Sequence, residues 1–293
     1  MIRIAIIAIL IAVLGVAGGS AHADVTWLDL ARRVPRTWSA SRDAPVMNLL
    51  VLPRDVRTLG GELAIATLRG PTLSLRMGFA GLLELESDGE TAEIANAFVH
   101  GAGTILWRGS YAYYAALSLD ALGERLCAGC AFEVSAQYRH ESQHYTGSNA
   151  GDAGMDVTTE PYMGDDVIGD VALSVSRGRW LFAGRAIAFA YLPGRSSYAG
   201  GPGLDLHVRW RAPRVQPFVS GYVEELFGTK LAGHRFDNAY LARALAGVAL
   251  PSTLGDVMLY LSADVGNRKG IRGLTEEATL GVGVRLALGA AHP

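Results

Sequence analysis

The sequence is short of four things, and three of the shortages exclude a class of protein. It carries two cysteines, Cys127 and Cys130, and two lysines, Lys230 and Lys269, in 293 residues. Its net charge is −2, so it has no basic face of the kind nucleic-acid binding needs. Past the first two dozen residues no apolar run reaches the roughly 18–20 residues of a spanning helix. There is also no low-complexity linker and no charge block, which argues for one domain. The cysteines lie in Cys127-Ala-Gly-Cys130. In an oxidising compartment that spacing is most simply a disulfide closing a tight turn. A thioredoxin-type redox site needs the same motif at a helix N-terminus within a βαβ unit, and neither flank reads as helical.

The N-terminus reads as a secretory signal over residues 1–23. Arg3 gives the positive start, residues 4–16 the apolar stretch, and Ala21-His22-Ala23 the small-residue cleavage site, with a mature chain from about Asp24. The style is bacterial, so the product enters the periplasm or goes beyond it. A chain that is exported, 50% hydrophobic and without a membrane helix is either a soluble β protein or a transmembrane barrel.

Residues 24–58 read as an irregular N-terminal lead, with Trp27, Leu28, Leu30 and Ala31 forming a short helix, and residues 59–293 as the barrel. Within the barrel the dominant signal is period two, the period of a strand. In residues 131–147, Phe132, Val134, Ala136 and Tyr138 fall on one parity, and Glu133, Ser135, Gln137 and Arg139 on the other. Similar segments lie at 62–68, 72–86, 91–99, 110–120, 166–176, 180–192, 204–210, 215–226, 239–250, 257–265 and 277–288, about twelve in all. Short connections (87–90, 121–130, 177–179, 212–214, 251–255) alternate with longer ones (146–164, 193–202, 228–237, 267–275). Short turns on one side, long loops on the other and an even strand number predict an all-β fold, a single antiparallel transmembrane barrel in the outer membrane. Tyr111, Tyr113, Trp180, Tyr191, Trp210, Tyr222, Tyr240 and Tyr260 are placed as girdle aromatics. Glu224, Glu225, His207, Arg209, Arg211 and Asp264 are placed facing the lumen. The alternative is an exported β-sandwich, whose outward face should carry many charges.

The apolar parity of residues 131–147 ends in His140, Ser142 and His144. On a climbing strand these fall near the outer rim on the lipid side, where polar groups carry a desolvation cost. His-x-Ser on the outer face of a barrel strand resembles outer membrane phospholipase A and the outer-membrane lipid A deacylase, although those families follow the serine with Asn-Gly and this chain has Gln143-His144. The resemblance implies a serine-type lipid esterase with Ser142 as nucleophile and His140 as base. The acid that orients the base is open among Asp152, Asp156 and Asp166, with Asp152 carried as the first candidate. Membrane lipids or lipopolysaccharide would be the partners, and calcium a cofactor to test for. More of the chain, about 45–288, resembles a family of predicted outer-membrane proteins of unknown function, through Leu52-Pro-Arg-Asp55, the aromatic-x-His-x-Ser-x-His-x-x-Gly run of 138–147 and a Gly-Val-Gly-Val terminal strand.

Two other readings stand beside the esterase. His140-Glu141-Ser142-Gln143-His144 is formally H-E-x-x-H, a zinc protease motif that works only on a helix, where both imidazoles share a face. The plain reading is a rim cluster of His, Ser and Tyr145 that contacts headgroups or closes loops in a non-catalytic barrel or narrow pore. N-terminal sequencing of the protein recovered from membranes should begin at or next to Asp24; an N-terminus at Met1 would remove the signal assignment.

Overall fold

The computed structural model describes residues 24–29, 47–50, 56–69, 74–87, 104–147, 164–193, 196, 198–231, 234–252, 255–266 and 279–288. The signal sequence expected over residues 1–23, the strand expected at 91–99, Asp152 and Asp156 lie outside these residues. The strands are β1 (Asp24–Asp29), β2 (Met47–Leu50), β3 (Val56–Arg69), β4 (Ser74–Ser87), β5 (Thr104–Ser118), β6 (Cys130–Gly147), β7 (Asp165–Arg177), β8 (Trp180–Tyr191), β9 (Tyr198–Trp210) and β10 (Gln216–Gly228). A two-residue pair, β11 (Lys230–Leu231) and β12 (His234–Arg235), stands apart, followed by β13 (Ala239–Ser252), β14 (Gly255–Gly266) and β15 (Thr279–Leu288). One helix is described, α1 (Asp120–Leu126).

All strand pairs are antiparallel, and from β3 to β15 each long strand pairs with the long strands before and after it. The circuit of pairings is completed by β2, which joins β15 through four positions and β3 through three. β1 lies along the same edge of β3, with Asp24 opposite Arg69 and Asp29 opposite Ala64. That edge would otherwise present unpaired N–H and C=O groups, which a membrane does not tolerate. Its demand, together with the β-branched Val25 and Thr26, makes a strand where a helix over 27–31 is expected from the sequence alone. The N-terminal stretch therefore contributes strands to the sheet, and β2 is the twelfth strand of the circuit among the described residues.

Along most of each long strand, one parity faces outward among the described residues. Val134, Val171, Leu173, Phe182, Leu204, Leu206, Val219, Leu261 and Val282 are exposed, and Leu280 reaches 75%. The opposite parity is polar and buried. Arg139 donates to Asp166 at 3.1 and 2.7 Å, Arg243 to Asp264 at 2.6 and 3.0 Å, and Arg209 to Asp256 at 2.5 Å. Arg185 lies 3.2 Å from Asp170, which also accepts from Ser135. Apolar residues between these pairs are sealed too, with Ala172, Ala249 and Met258 at 0% exposure. The interior is thus filled, and its ions are paired between strands, most across neighbours and Arg209 of β9 across the interior to Asp256 of β14, as desolvated charges must be. A sandwich has its oily side covered by protein; here the oily side is outermost. This is the distribution of a transmembrane β-barrel.

The interior claims several residues expected elsewhere. Tyr191, Tyr222 and Tyr260 are buried and face inward, so they are not girdle aromatics, whereas Tyr111, Tyr113, Trp180 and Tyr240 are exposed. Conversely Glu225 is exposed, accepting from Asn238, and Arg211 donates to the Gly178 carbonyl on a turn. Neither of those two lines the lumen. His207, Arg209, Glu224 and Asp264 do face inward.

Tight connections sit at one end, between β7 and β8, β9 and β10, and β13 and β14. α1 occupies that end as well and finishes at Cys127, which is disulfide-bonded to Cys130. Gly129 follows the bridge's first half at φ +82°, a left-handed conformation that a side chain resists. The helix before Cys127 is not anticipated by the sequence reading. Because it ends at the motif, it does not supply the helix N-terminus that lowers a thiol's pKa in redox proteins. Nitroxide labels at Leu206→Cys and Val282→Cys should collide with dissolved oxygen and be shielded from a water-soluble nickel chelate. The reverse order at either position would overturn the outward assignment.

Candidate functional site

β6 is extended throughout, Cys130–Gly147. It pairs with β5 up to Gly147 opposite Thr104, but with β7 only up to His140 opposite Asp165. His140 therefore sits at a corner, where β5 and β6 continue past the start of β7. The corner is at the end opposite the tight turns, the outer end by the loop-length rule.

The parity of β6 sets which side chains face out. Glu133, Ser135, Gln137 and Arg139 are buried, while Val134 and Tyr138 are exposed and His140 is partly so. His140 shares its row with Tyr111, whose ring centroid lies 5.1 Å from the imidazole. In the row beneath, Tyr138 is opposite Tyr113, at 38% and 63% exposure, so two tyrosines stand on the membrane side of the histidine. The Asp165 carboxylate approaches from β7, with Oδ1 2.7 Å from His140 Nδ1. A carboxylate only accepts, so Nδ1–H donates, and in the neutral ring the lone pair is then on Nε2. Asp165 is itself held by its backbone, since the Leu192 N–H donates to its carbonyl at 2.9 Å. The result is an imidazole fixed in ring orientation and tautomer, its basic nitrogen free to take a proton.

The sequence-derived candidates fall as follows. Ser142 lies on β6 at the same parity as His140, opposite Gly109, and about 6.6 Å further along at strand rise. His144 continues that parity and Glu141 takes the other. Asp166, a candidate acid, points inward to Arg139 and cannot orient His140. Asp165 does so instead, and the sequence reading passes over it. H-E-x-x-H fails as a zinc motif, because on an extended strand its two histidines are about 13 Å apart. Among the described residues no group of three or more His, Cys, Asp or Glu is placed to hold a metal. The calcium implied by resemblance has no donor set there, and no step below is routed through it.

A second His–Ser pair lies in the interior and serves as a contrast. His207 Nδ1 is 2.7 Å from Ser220 Oγ, and Arg209 Nε–H donates to His207 Nε2 at 3.3 Å. Since arginine can only donate, the proton of His207 is on Nδ1 and points at Ser220. That histidine is no base toward its serine. His140 has the opposite arrangement.

Fold and residue distribution together define an integral membrane protein of the transmembrane β-barrel class. No protein-family model and no curated protein sequence matches the chain. Among solved structures it is similar to CdiB from Acinetobacter baumannii, with a TM-score of 0.33 and 10% identity over 91% of this chain and 65% of that one. It is also similar to the translocator domain of the autotransporter NalP from Neisseria meningitidis, with a TM-score of 0.34 and 11% identity over 82% of this chain and 84% of that one. The chain thus spans 65% of the length of CdiB.

The neighbouring aspartates separate by consequence. Asp166→Ala leaves the buried Arg139 uncompensated and should cost about 3–5 kcal/mol in unfolding free energy. Asp165→Ala, on the outer face, should cost no more than about 1.5 kcal/mol. Denaturant titration of the detergent-solubilised protein checks this; equal costs would contradict the assigned facings.

Proposed function

We propose that this chain is an outer-membrane barrel that hydrolyses acyl esters of membrane lipids or lipopolysaccharide at its outer rim. His140 is the general base, Asp165 its orienting acid and Ser142 the nucleophile. The observation that carries the reading is the 2.7 Å contact of Asp165 with His140 Nδ1 on the lipid-facing side. Serine is a weak nucleophile until a base takes its proton, and a base works best when a third group fixes its tautomer. Three residues of these types on one face, two of them joined in the required sense, favour that chemistry over headgroup contact alone.

In this mechanism Ser142 Oγ attacks the ester carbonyl as His140 Nε2 accepts its proton. Asp165 stabilises the imidazolium that forms. The tetrahedral intermediate collapses, and the alcohol leaves with the proton returned by His140. Water, deprotonated by the same nitrogen, then releases the fatty acid. The outward site suits a substrate that is itself part of the bilayer, since the ester reaches the rim without leaving the lipid. Tyr113 and Tyr138 lie beneath the site, at the level where a bound acyl chain would run.

A second reading, a non-catalytic structural barrel, is supported by the filled interior. The same observation counts against a pore. Phospholipid and lipopolysaccharide acyl release from mixed micelles separates the readings. Ser142→Ala and His140→Ala should abolish release, and Asp165→Asn should lower kcat by about 10²–10⁴-fold. Asp152→Ala should leave the rate unchanged. Full activity in Ser142→Ala would sink the enzyme, whereas loss in Asp152→Ala with none in Asp165→Asn would reassign the acid.

A further inference from the structure

The end of the barrel away from His140 carries a feature that the esterase reading does not use. The β7–β8 turn reads Arg177-Gly-Arg179-Trp180, and the β9–β10 connection reads Arg211-Ala-Pro-Arg214-Val215. The two are neighbours, with Trp180 opposite Trp210 and the Arg211 N–H donating to the Arg179 carbonyl at 2.6 Å. Four arginines and no acid therefore share one stretch of rim. Arg177, Arg179 and Arg214 are exposed. Arg211 is braced by its hydrogen bond to the Gly178 carbonyl, 3.1 Å.

The aromatic floor beside them faces lipid. Arg177 is opposite Trp180, and Trp180 opposite Trp210, so the three form one outward row. The two indoles meet edge to face with centroids 4.8 Å apart, and Trp180 stacks on Phe182, which lies one row closer to the membrane centre, at 6.0 Å. The Arg179 guanidinium lies 5.9 Å from the Trp210 ring centre. Indoles settle at the headgroup level of a bilayer, and guanidinium forks match phosphate oxygens in geometry and charge. By contrast, the small exposed pair at the other end mixes Lys230 and Arg235 with Asp237 and Glu225.

We propose that this rim is a binding site for an anionic phospholipid of the periplasmic leaflet. Arg177, Arg179, Arg211 and Arg214 hold the headgroup phosphate, and Trp180 and Trp210 bear against the glycerol and upper acyl segment. The site follows from the fold and its facings alone, so it stands whether or not Ser142 is catalytic. Lipid is favoured over an acidic protein because the arginines rise directly from an apolar, membrane-facing wall with tryptophan between.

Native mass spectrometry of the full-length protein released from detergent tests this, with phosphatidylglycerol and phosphatidylcholine of identical chains as probes. Phosphatidylglycerol should be retained in preference, and the Arg177→Gln/Arg179→Gln/Arg211→Gln/Arg214→Gln variant should lose that preference by at least about tenfold. Arg235→Gln, at the opposite end, should keep it. Heat-modifiable mobility on gels reports whether each variant is folded; Arg179→Gln/Arg214→Gln, both exposed, serves if the quadruple variant is not, with a smaller loss expected. Equal retention of the two lipids, or undiminished preference in the folded variants, would overturn the proposal. Displacement of the lipid by millimolar inorganic phosphate would assign the site to free phosphate, and displacement by poly-glutamate to an acidic polypeptide; either result also overturns it.

Discussion

Everything in this molecule follows from the requirement that no backbone N–H or C=O be left unpaired against hydrocarbon. Antiparallel strands meet that requirement only if the first and last of them find one another. β2 joins β15 to β3, and β1 covers the β3 edge from Ala64 to Arg69. Once the circuit exists, the pleat does the rest. Alternate side chains must go to lipid or to the interior, so a two-residue period in sequence becomes an inside and an outside in space.

The two sides then solve different problems. Outside, the side chains need only be apolar, and shape matters little because lipid conforms to them. Inside, charges are far from bulk water, and each must be answered by a neighbour. The answers run between adjacent strands: Arg139 to Asp166, Arg185 to Asp170, Arg243 to Asp264. Such pairs are costly to desolvate and add little net stability, but losing one partner is severe. They also favour one register, since a slip of one strand by one residue would send one member of a pair to lipid and leave the other unpaired inside.

The parity of the wall was legible in the sequence, and the register between strands was not. β6, residues 204–210 of β9 and β15 alternate cleanly, and their facings follow from residue type alone. Tyr222 was readable in principle, because it shares parity with Glu224, and Tyr260 shares parity with Asp264; both are inward. Tyr191 was harder, since β8 is apolar on both parities and only Arg185 fixes its sense. The acid partner of His140 was not legible. Which residue of β7 stands opposite His140 depends on how the long connection before β7 sets the stagger, and no local pattern encodes that. A difference of one residue separates Asp165, on the site, from Asp166, in the interior. The N-terminal strands were invisible for the same reason: residues 24–29 and 47–50 are strands because β3 needs neighbours, a demand that lies elsewhere in the chain.

The narrowness of the β2 seam has a bearing on biogenesis. Residues 47–50 must meet residues 283–286, so the wall cannot shut until β15 has been delivered. Hairpins from β3 to β15 form from near neighbours and are quick, whereas this junction spans most of the contour length and is entropically the slowest to reach. Before it forms, the growing sheet carries two raw margins, and insertion is the interval in which a chaperone or an assembly machine has something to hold.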